Sequence, residues 1–214
     1  MRHSPLPKNT KYKPGLISFI VSAYDRPDDL LLALASICRQ TEPHEIIVCS
    51  NHPSVKVLEQ HKTVARQFGA KVYHTGKWGA YCCYSSAEMV IAKGIPRGEF
   101  LNFASDDSIY FTGFSDLMMR AARLNNWDLV YCDCVYDPLV RIERGSAERY
   151  GILKAEPRLN KIDKTNFILK ASWFEGFPGK RRSGPAAADA LLIEELIARG
   201  IRHGKADGHL LVHQ

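Results

Sequence analysis

From Leu16 to Val135, apolar runs of strand length alternate with apolar positions at helical spacing, and that alternation leaves the chain very few architectures. Residues 16–23 form a nearly continuous apolar run, as expected for a strand covered on both faces. Pro27 then opens a helix at a position where a missing N–H costs nothing, and Leu30, Leu34, Ile37 and Cys38 recur at helical spacing down to Gln40. Residues 45–50 predict a second strand, residues 55–68 a helix stopped at Gly69, residues 70–74 a third strand, and residues 80–93 a helix capped by Gly94. Residues 100–104 predict a fourth strand, residues 117–124 another helix and residues 129–135 a further strand. Strand and helix at βα spacing predict an α/β fold, a single Rossmann-like domain with a mostly parallel central sheet flanked by helices. In such sheets the ligand lies at the carboxyl ends of the strands.

The 214 residues, 45% of them hydrophobic, suffice for one domain with a sizeable core. Residues 1–15 carry Arg2, Lys8, Lys11 and Lys13 among three prolines and are expected to be a basic flexible tail, leaving residues 16–214 as the domain. The second half is organised differently. It has a loop-rich segment over residues 136–161, a strand pattern over 162–169 and a basic loop at 179–185. A strongly helical stretch at 186–199, stopped by Gly200, and a closing apolar run at 208–213 follow. No window approaches the eighteen or so apolar residues of a membrane span, and the first fifteen residues hold no apolar signal core, so a cytoplasmic protein is expected, in the host cytoplasm if the chain is viral. The six cysteines have no zinc-site spacing and read as reduced core thiols. A formal net charge of +6 and a pI near 9.0 point to an anionic partner.

The chemistry concentrates where the fourth strand ends. The apolar stretch Phe100-Leu101-Asn102-Phe103-Ala104 runs into Ser105-Asp106-Asp107-Ser108. Two adjacent carboxylates repel, and a hard divalent cation that bridges to substrate phosphates is a common counter-charge; a solvated Asp-Asp turn is the alternative. Asp25-Arg26, Ser50-Asn51, residues 76–79 and residues 105–108 all follow predicted strands, so one nucleotide-sized ligand could touch all four. Neither G-x-G-x-x-G nor G-x-x-x-x-G-K-[ST] occurs, which argues against a dinucleotide cofactor and a P-loop. Asp189, Glu194 and Glu195 lie on the last predicted helix, where a lone carboxylate is ordinarily a solvated face.

Together these pieces resemble the nucleotide-sugar-dependent glycosyltransferases of the GT-A fold, family 2 in particular. The resemblance rests on residues 16–41 with their Tyr24-Asp25-Arg26-Pro27, on residues 45–54, on 98–110, on 163–169 and on 188–213. It implies a single GT-A domain in which residues 16–135 bind the nucleotide sugar and residues 136–214 the acceptor. It assigns donor binding to Ala23, Asp25, Arg26, Asn51, Lys77 and Asp106, a divalent metal (Mn²⁺ or Mg²⁺) to Asp107 and His213, and the base that deprotonates the acceptor to Asp189. Acceptor contacts are expected at Asp163 and Asn166. The donor it implies is a UDP-sugar, with a GDP-sugar as the alternative, and transfer inverts the anomeric configuration.

The chain departs from the family pattern in three places. Asn51 stands where the family usually has an Asp that accepts a uracil N–H, the 76–79 loop lacks an Arg that some relatives aim at the diphosphate, leaving Lys77, and Ser105 replaces an acidic residue. Lys180, Arg181 and Arg182 fall just before Asp189 and are a solvated loop or a contact for a polyanionic acceptor. In the second case nucleic acid is the simplest soluble candidate, such as a hydroxymethylated base in DNA of bacteriophage type, with a surface polysaccharide or lipid-linked glycan as the alternative. A GT-A module that binds nucleotide without turnover and a nucleotidyltransferase are the competing classes. The second would carry a Gly-rich basic loop after the first strand, which Tyr24-Asp25-Arg26-Pro27 is not.

Overall fold

The structure, a computed structural model, describes residues 11–76, 82–136, 151–159, 161–178 and 188–213. In chain order its elements are β1 (Lys13–Ala23), α1 (Pro27–Cys38), β2 (His44–Ser50), α2 (Val55–Arg66), β3 (Lys71–His74), α3 (Cys82–Ala92), β4 (Gly98–Asn102), β5 (Ser108–Tyr110), α4 (Phe114–Asn125), β6 (Leu129–Tyr136), β7 (Gly151–Leu153) and β8 (Phe167–Lys170). A 3-10 turn (Ala171–Trp173), α5 (Ala188–Ala198) and β9 (His203–His213) complete it. The described strands form one sheet in the order β3-β2-β1-β4-β8-β6-β9-β5, with β7 paired to β6. β1, β2, β3, β4, β6 and β9 point the same way, and β8, β7 and β5 oppose them. The mostly parallel sheet expected from the sequence is therefore present. No described helix is long and apolar enough to cross a membrane.

Helices on both faces divide the core in two, and the two-residue period of β1 shows how. Ile17, Phe19 and Val21 face one cluster with Leu34, Tyr110 and Phe114, whereas Ile20 faces the other with Leu101, Phe103, Phe174 and Leu192. On the second face Ser18 stays polar because its hydroxyl is used: it donates to Glu45 and accepts from Gly98 N. Gly98 opens β4 so close to β1 that a Cβ there would lie 2.6 Å from Ser18 N, so only glycine lets the two strands pair at this point.

Several boundaries differ from the sequence expectation. β1 starts at Lys13, inside the stretch expected to be tail, because Lys13 N donates to Arg97 O and the residue pairs with Gly98. β5 and β7, three residues each, carry too few residues to show a period. β9 begins five residues earlier than expected, since Lys205 and Asp207 interrupt an apolar pattern that the long register with β6 overrides.

Candidate active site

The end of β4 is held rigidly, which fixes the carboxylate pair. The Phe103 ring packs against Phe174 and Phe177 with centroids 5.2 and 4.9 Å away. Beyond the strand, Ser22 N donates to Ala104 O and Asp106 N to Ser22 O, both at 3.0 Å, so the β1–β4 ladder continues into the turn. This brings Asp106 beside the end of β1, where Oδ2 accepts from Tyr24 N at 3.0 Å and Oδ1 from Arg26 Nη2 at 2.6 Å. The same Arg26 nitrogen donates to Asp107 Oδ2 at 3.0 Å.

The two carboxyls titrate in opposite directions. Burial, with 2% of Asp106 exposed, pushes its carboxyl up to about 6 despite the Arg26 charge and the Tyr24 amide. Burial would raise Asp107 as well, but His213, Arg26 and Lys164, with a hydrogen bond from Ser105, outweigh it and hold that carboxyl below the ordinary value. One carboxylate is thus kept charged beside one that is easier to protonate.

β5 and β9 bring the C-terminal end of the chain to the same place. Ser108 pairs with His213 in the antiparallel register, and the Ser108 hydroxyl lies 2.9 Å from His213 Nδ1. That nitrogen is 3.5 Å from Asp107 Oδ1, a buried oxygen that accepts no hydrogen bond. A buried carboxylate oxygen without a donor is costly unless a cation or ligand meets it. Among the described residues no three His, Cys, Asp or Glu side chains converge as a complete metal site. Asp107 and His213 nevertheless fit a Mg²⁺ or Mn²⁺ ion, which characteristically takes one or two protein ligands and fills its shell with phosphate oxygens and water.

Asp189 stands at the start of α5, where backbone donors and the helix dipole favour a carboxylate. Its Oδ1 accepts from Ala190 N at 2.9 Å and its Oδ2 from Lys164 N at 3.0 Å. Burial, and then the neighbouring Asp163, push its carboxyl well above the ordinary value. Asp163 is held down instead: burial opposes its charge, but His213, Lys164 and two donations from Thr165 prevail. The Asn166 side chain is committed to the protein, accepting from Asp163 N and donating to Cys132 O.

Lys164 is the site residue that sequence reasoning missed. Only 9% exposed, it sends its ammonium to Ala104 O at 3.3 Å and Phe103 O at 3.5 Å, among Asp106, Asp107 and Asp163. The available signal was a lysine directly after Asp163 at the entry to an apolar strand, a position where a long cation is buried only if it is paired.

The remaining donor-side residues lie at the ends of β1 and β2. Asn51 N donates to Ala23 O at 2.8 Å, and the buried Asn51 carbonyl accepts from Thr75 Oγ1 at 2.7 Å and Ser86 Oγ at 2.5 Å. Two hydroxyls thereby occupy the amide oxygen and leave the N–H side for a ligand. The Tyr24 and His52 rings meet alongside at a tilt of 59° with centroids 4.9 Å apart, and Asp25, next to Tyr24 in the chain, is exposed. Lys77, Lys180, Arg181 and Arg182 lie outside the described residues.

No protein-family model and no curated protein sequence matches this chain. Solved structures do. Residues 1–349 of TarS from S. aureus share the fold with a TM-score of 0.66 and 16% identity, over 92% of this chain and 60% of that one. The same TarS segment in complex with UDP-GlcNAc gives 0.65 and 13%, over 92% and 57%. The mannosyltransferase PcManGT from Pyrobaculum calidifontis, in complex with GDP-Man and Mn²⁺, gives 0.66 and 14%, over 99% and 59%. The chain thus spans about three fifths of the length of these structures. At such identities the likeness is one of fold, and the chain carries the GT-A fold of nucleotide-sugar glycosyltransferases.

Proposed function

We propose that the chain transfers a sugar from a nucleoside-diphosphate donor to an acceptor hydroxyl, with inversion at the anomeric carbon and with a divalent cation at Asp107 and His213. What carries this reading is one network at the carboxyl ends of the strands: Lys164 holds Asp189 through its amide while its ammonium faces the Asp106-Asp107 turn. The UDP-GlcNAc and GDP-Man bound to structures of the same fold support the donor class, and the Mn²⁺ with PcManGT supports the cation.

In this mechanism residues 16–135 bind the donor. Asp106, held by Tyr24 N, is assigned to the ribose or sugar, and Ala23, Asp25 and Asn51 to the nucleotide, with Lys77 assigned to it from the sequence alone. When bound, the cation supplies positive charge to the leaving diphosphate. Asp189, raised by burial and by Asp163, takes the proton of the acceptor hydroxyl as its oxygen bonds to the anomeric carbon from the face opposite the diphosphate. We assign the acceptor to residues 136–214, with Asp163 as its contact among the described residues; Asn166 serves the fold there, and residues 180–182 are assigned from the sequence alone. The net charge of +6 supports an anionic acceptor, for which we take hydroxymethylated DNA of phage type over a surface or lipid-linked glycan.

The test is release of nucleotide from UDP- and GDP-sugars in the presence of Mn²⁺. Asp189→Asn should keep donor affinity and lose roughly 10²- to 10⁴-fold in turnover, the usual worth of a positioned base. Glu194, which accepts from Leu159 N, and Glu195, beside Arg199, are the controls and should tolerate Gln. Nucleotide binding without release from any donor would make the chain a binding module instead.

A further inference from the structure

Arg26 occupies an awkward position for a metal-assisted enzyme. Its Nη2 lies between the carboxylates, 2.6 Å from Asp106 Oδ1 and 3.0 Å from Asp107 Oδ2. A divalent cation on Asp107 and a guanidinium on the same carboxyl compete for its charge. The two protein cations near the pair differ in mobility. Lys164 is 9% exposed and tied to the carbonyls of β4, whereas the Arg26 side chain is 40% exposed and projects from the turn between β1 and α1. Its Nε also lies 3.9 Å from Asp29 in the first turn of α1, a partly exposed carboxylate.

A nucleoside diphosphate changes the competition. It brings phosphate oxygens that match a guanidinium fork as well as carboxylates do, and it brings more charge. The loop after β3 has no arginine in its sequence for that diphosphate, and among the described residues Arg26 is the arginine paired with both Asp106 and Asp107. Resting on the glycosyltransferase reading, we propose that Arg26 is an exchange cation. It neutralises Asp106 and Asp107 before the donor arrives, then moves to the donor diphosphate and releases Asp107 to the divalent cation. Lys164 remains in place as the permanent counter-charge. Cation and nucleotide binding are then coupled through one side chain, and free metal binds poorly until a diphosphate draws the guanidinium away.

The test is calorimetric titration of the full chain and its variants with Mn²⁺ alone, with UDP or GDP alone, and with both. For Arg26→Ala we expect Mn²⁺ alone to bind ~10-fold tighter than to the unsubstituted chain, and UDP or GDP alone ~10-fold weaker, as befits a coupling of ordinary size. Arg26→Lys keeps the charge but lacks the guanidinium fork that matches a phosphate, so it should fall between the two; its circular dichroism and unfolding temperature check that the fold is intact. Mn²⁺ that binds Arg26→Ala alone no more tightly than the unsubstituted chain overturns the exchange, even if the pair still turns over donor. If neither protein binds Mn²⁺ with diphosphate present, the metal reading falls and the exchange with it.

Discussion

The main-chain amide of Lys164 donates to Asp189 Oδ2 at 3.0 Å while the ammonium of the same residue reaches Ala104 O at 3.3 Å. One residue therefore ties the start of α5 to the end of β4, and it does so with groups that mutation can separate.

Replacing Lys164 by Met leaves the amide and removes the ammonium. Asp189 should stay in place, but Asp106, Asp107 and Asp163 lose a buried compensating charge. The expected destabilisation is about 1–3 kcal/mol near neutral pH, the scale of a lost charge-assisted hydrogen bond. It should shrink toward pH 4, where Asp106 takes up its proton and no longer needs the cation, whereas Asp107 and Asp163, held below the ordinary value, still do. Urea denaturation of both proteins at the two pH values measures it. An equal loss at both would mean that the ammonium does not compensate Asp106.

Asp163 tests the electrostatics of the base. Its negative charge helps to raise Asp189, second only to burial. Asp163→Asn removes that charge but keeps an oxygen for the two Thr165 donors. Asp189 should then ionise more easily, so the acid limb of the pH–turnover profile should move to lower pH. Lower turnover with an unmoved limb would assign Asp163 to acceptor contact or to the fold.

How much of this the sequence revealed depends on how local each signal is. The turn Ser105-Asp106-Asp107-Ser108 was legible because an apolar strand running into paired carboxylates needs only neighbours along the chain. The helix starts at Pro27 and stops at Gly69 and Gly200 were legible for the same reason; the last two have φ of +63° and +84°. The pairing of β5 with β9 was not, since it joins Ser108 to His213 across a separation of 105 residues that no period encodes. Nor was Lys164, whose burial depends on carbonyls 60 and 61 residues away. The bridging by Arg26 could not be read either: an Arg after Asp25 looks like an ordinary solvated turn until β1 and β4 lie side by side.

Asp106 should leave a mark on stability against pH. Its folded value of about 6 exceeds the ordinary 3.8, so the protonated form is the one that folding favours. Its contribution is fully present below pH 3.8 and is lost as pH rises through about 6, an amplitude of about 3 kcal/mol if the two values are taken at face. Asp106→Asn cannot ionise and should not show that loss. The difference in unfolding free energy between the two proteins, measured without nucleotide or metal from pH 4 to 7, should therefore shift in favour of the variant by about 3 kcal/mol. A flat difference would mean that Arg26 and Tyr24 N compensate the buried charge fully.

The acceptor is tested through salt. Lys180, Arg181 and Arg182 lie outside the described residues, a few positions before α5, which carries Asp189. If each contacts one phosphate of DNA, counterion release predicts that the slope of log K against log[salt] flattens by about 0.9 per contact, or about 2.7 when all three become alanine. Donor affinity should not change. The hydroxyl to be modified is on a base, so a duplex must expose it by flipping the nucleotide toward Asp189, and mismatched or single-stranded hydroxymethylated DNA should react faster than a perfect duplex. A glycan acceptor predicts neither the slope nor the strand preference. Filter binding of hydroxymethylated DNA over 50 to 200 mM salt, with the triple variant alongside, decides: binding that is absent at low salt, or indifferent to the substitutions, rules out the nucleic-acid acceptor and leaves a glycan.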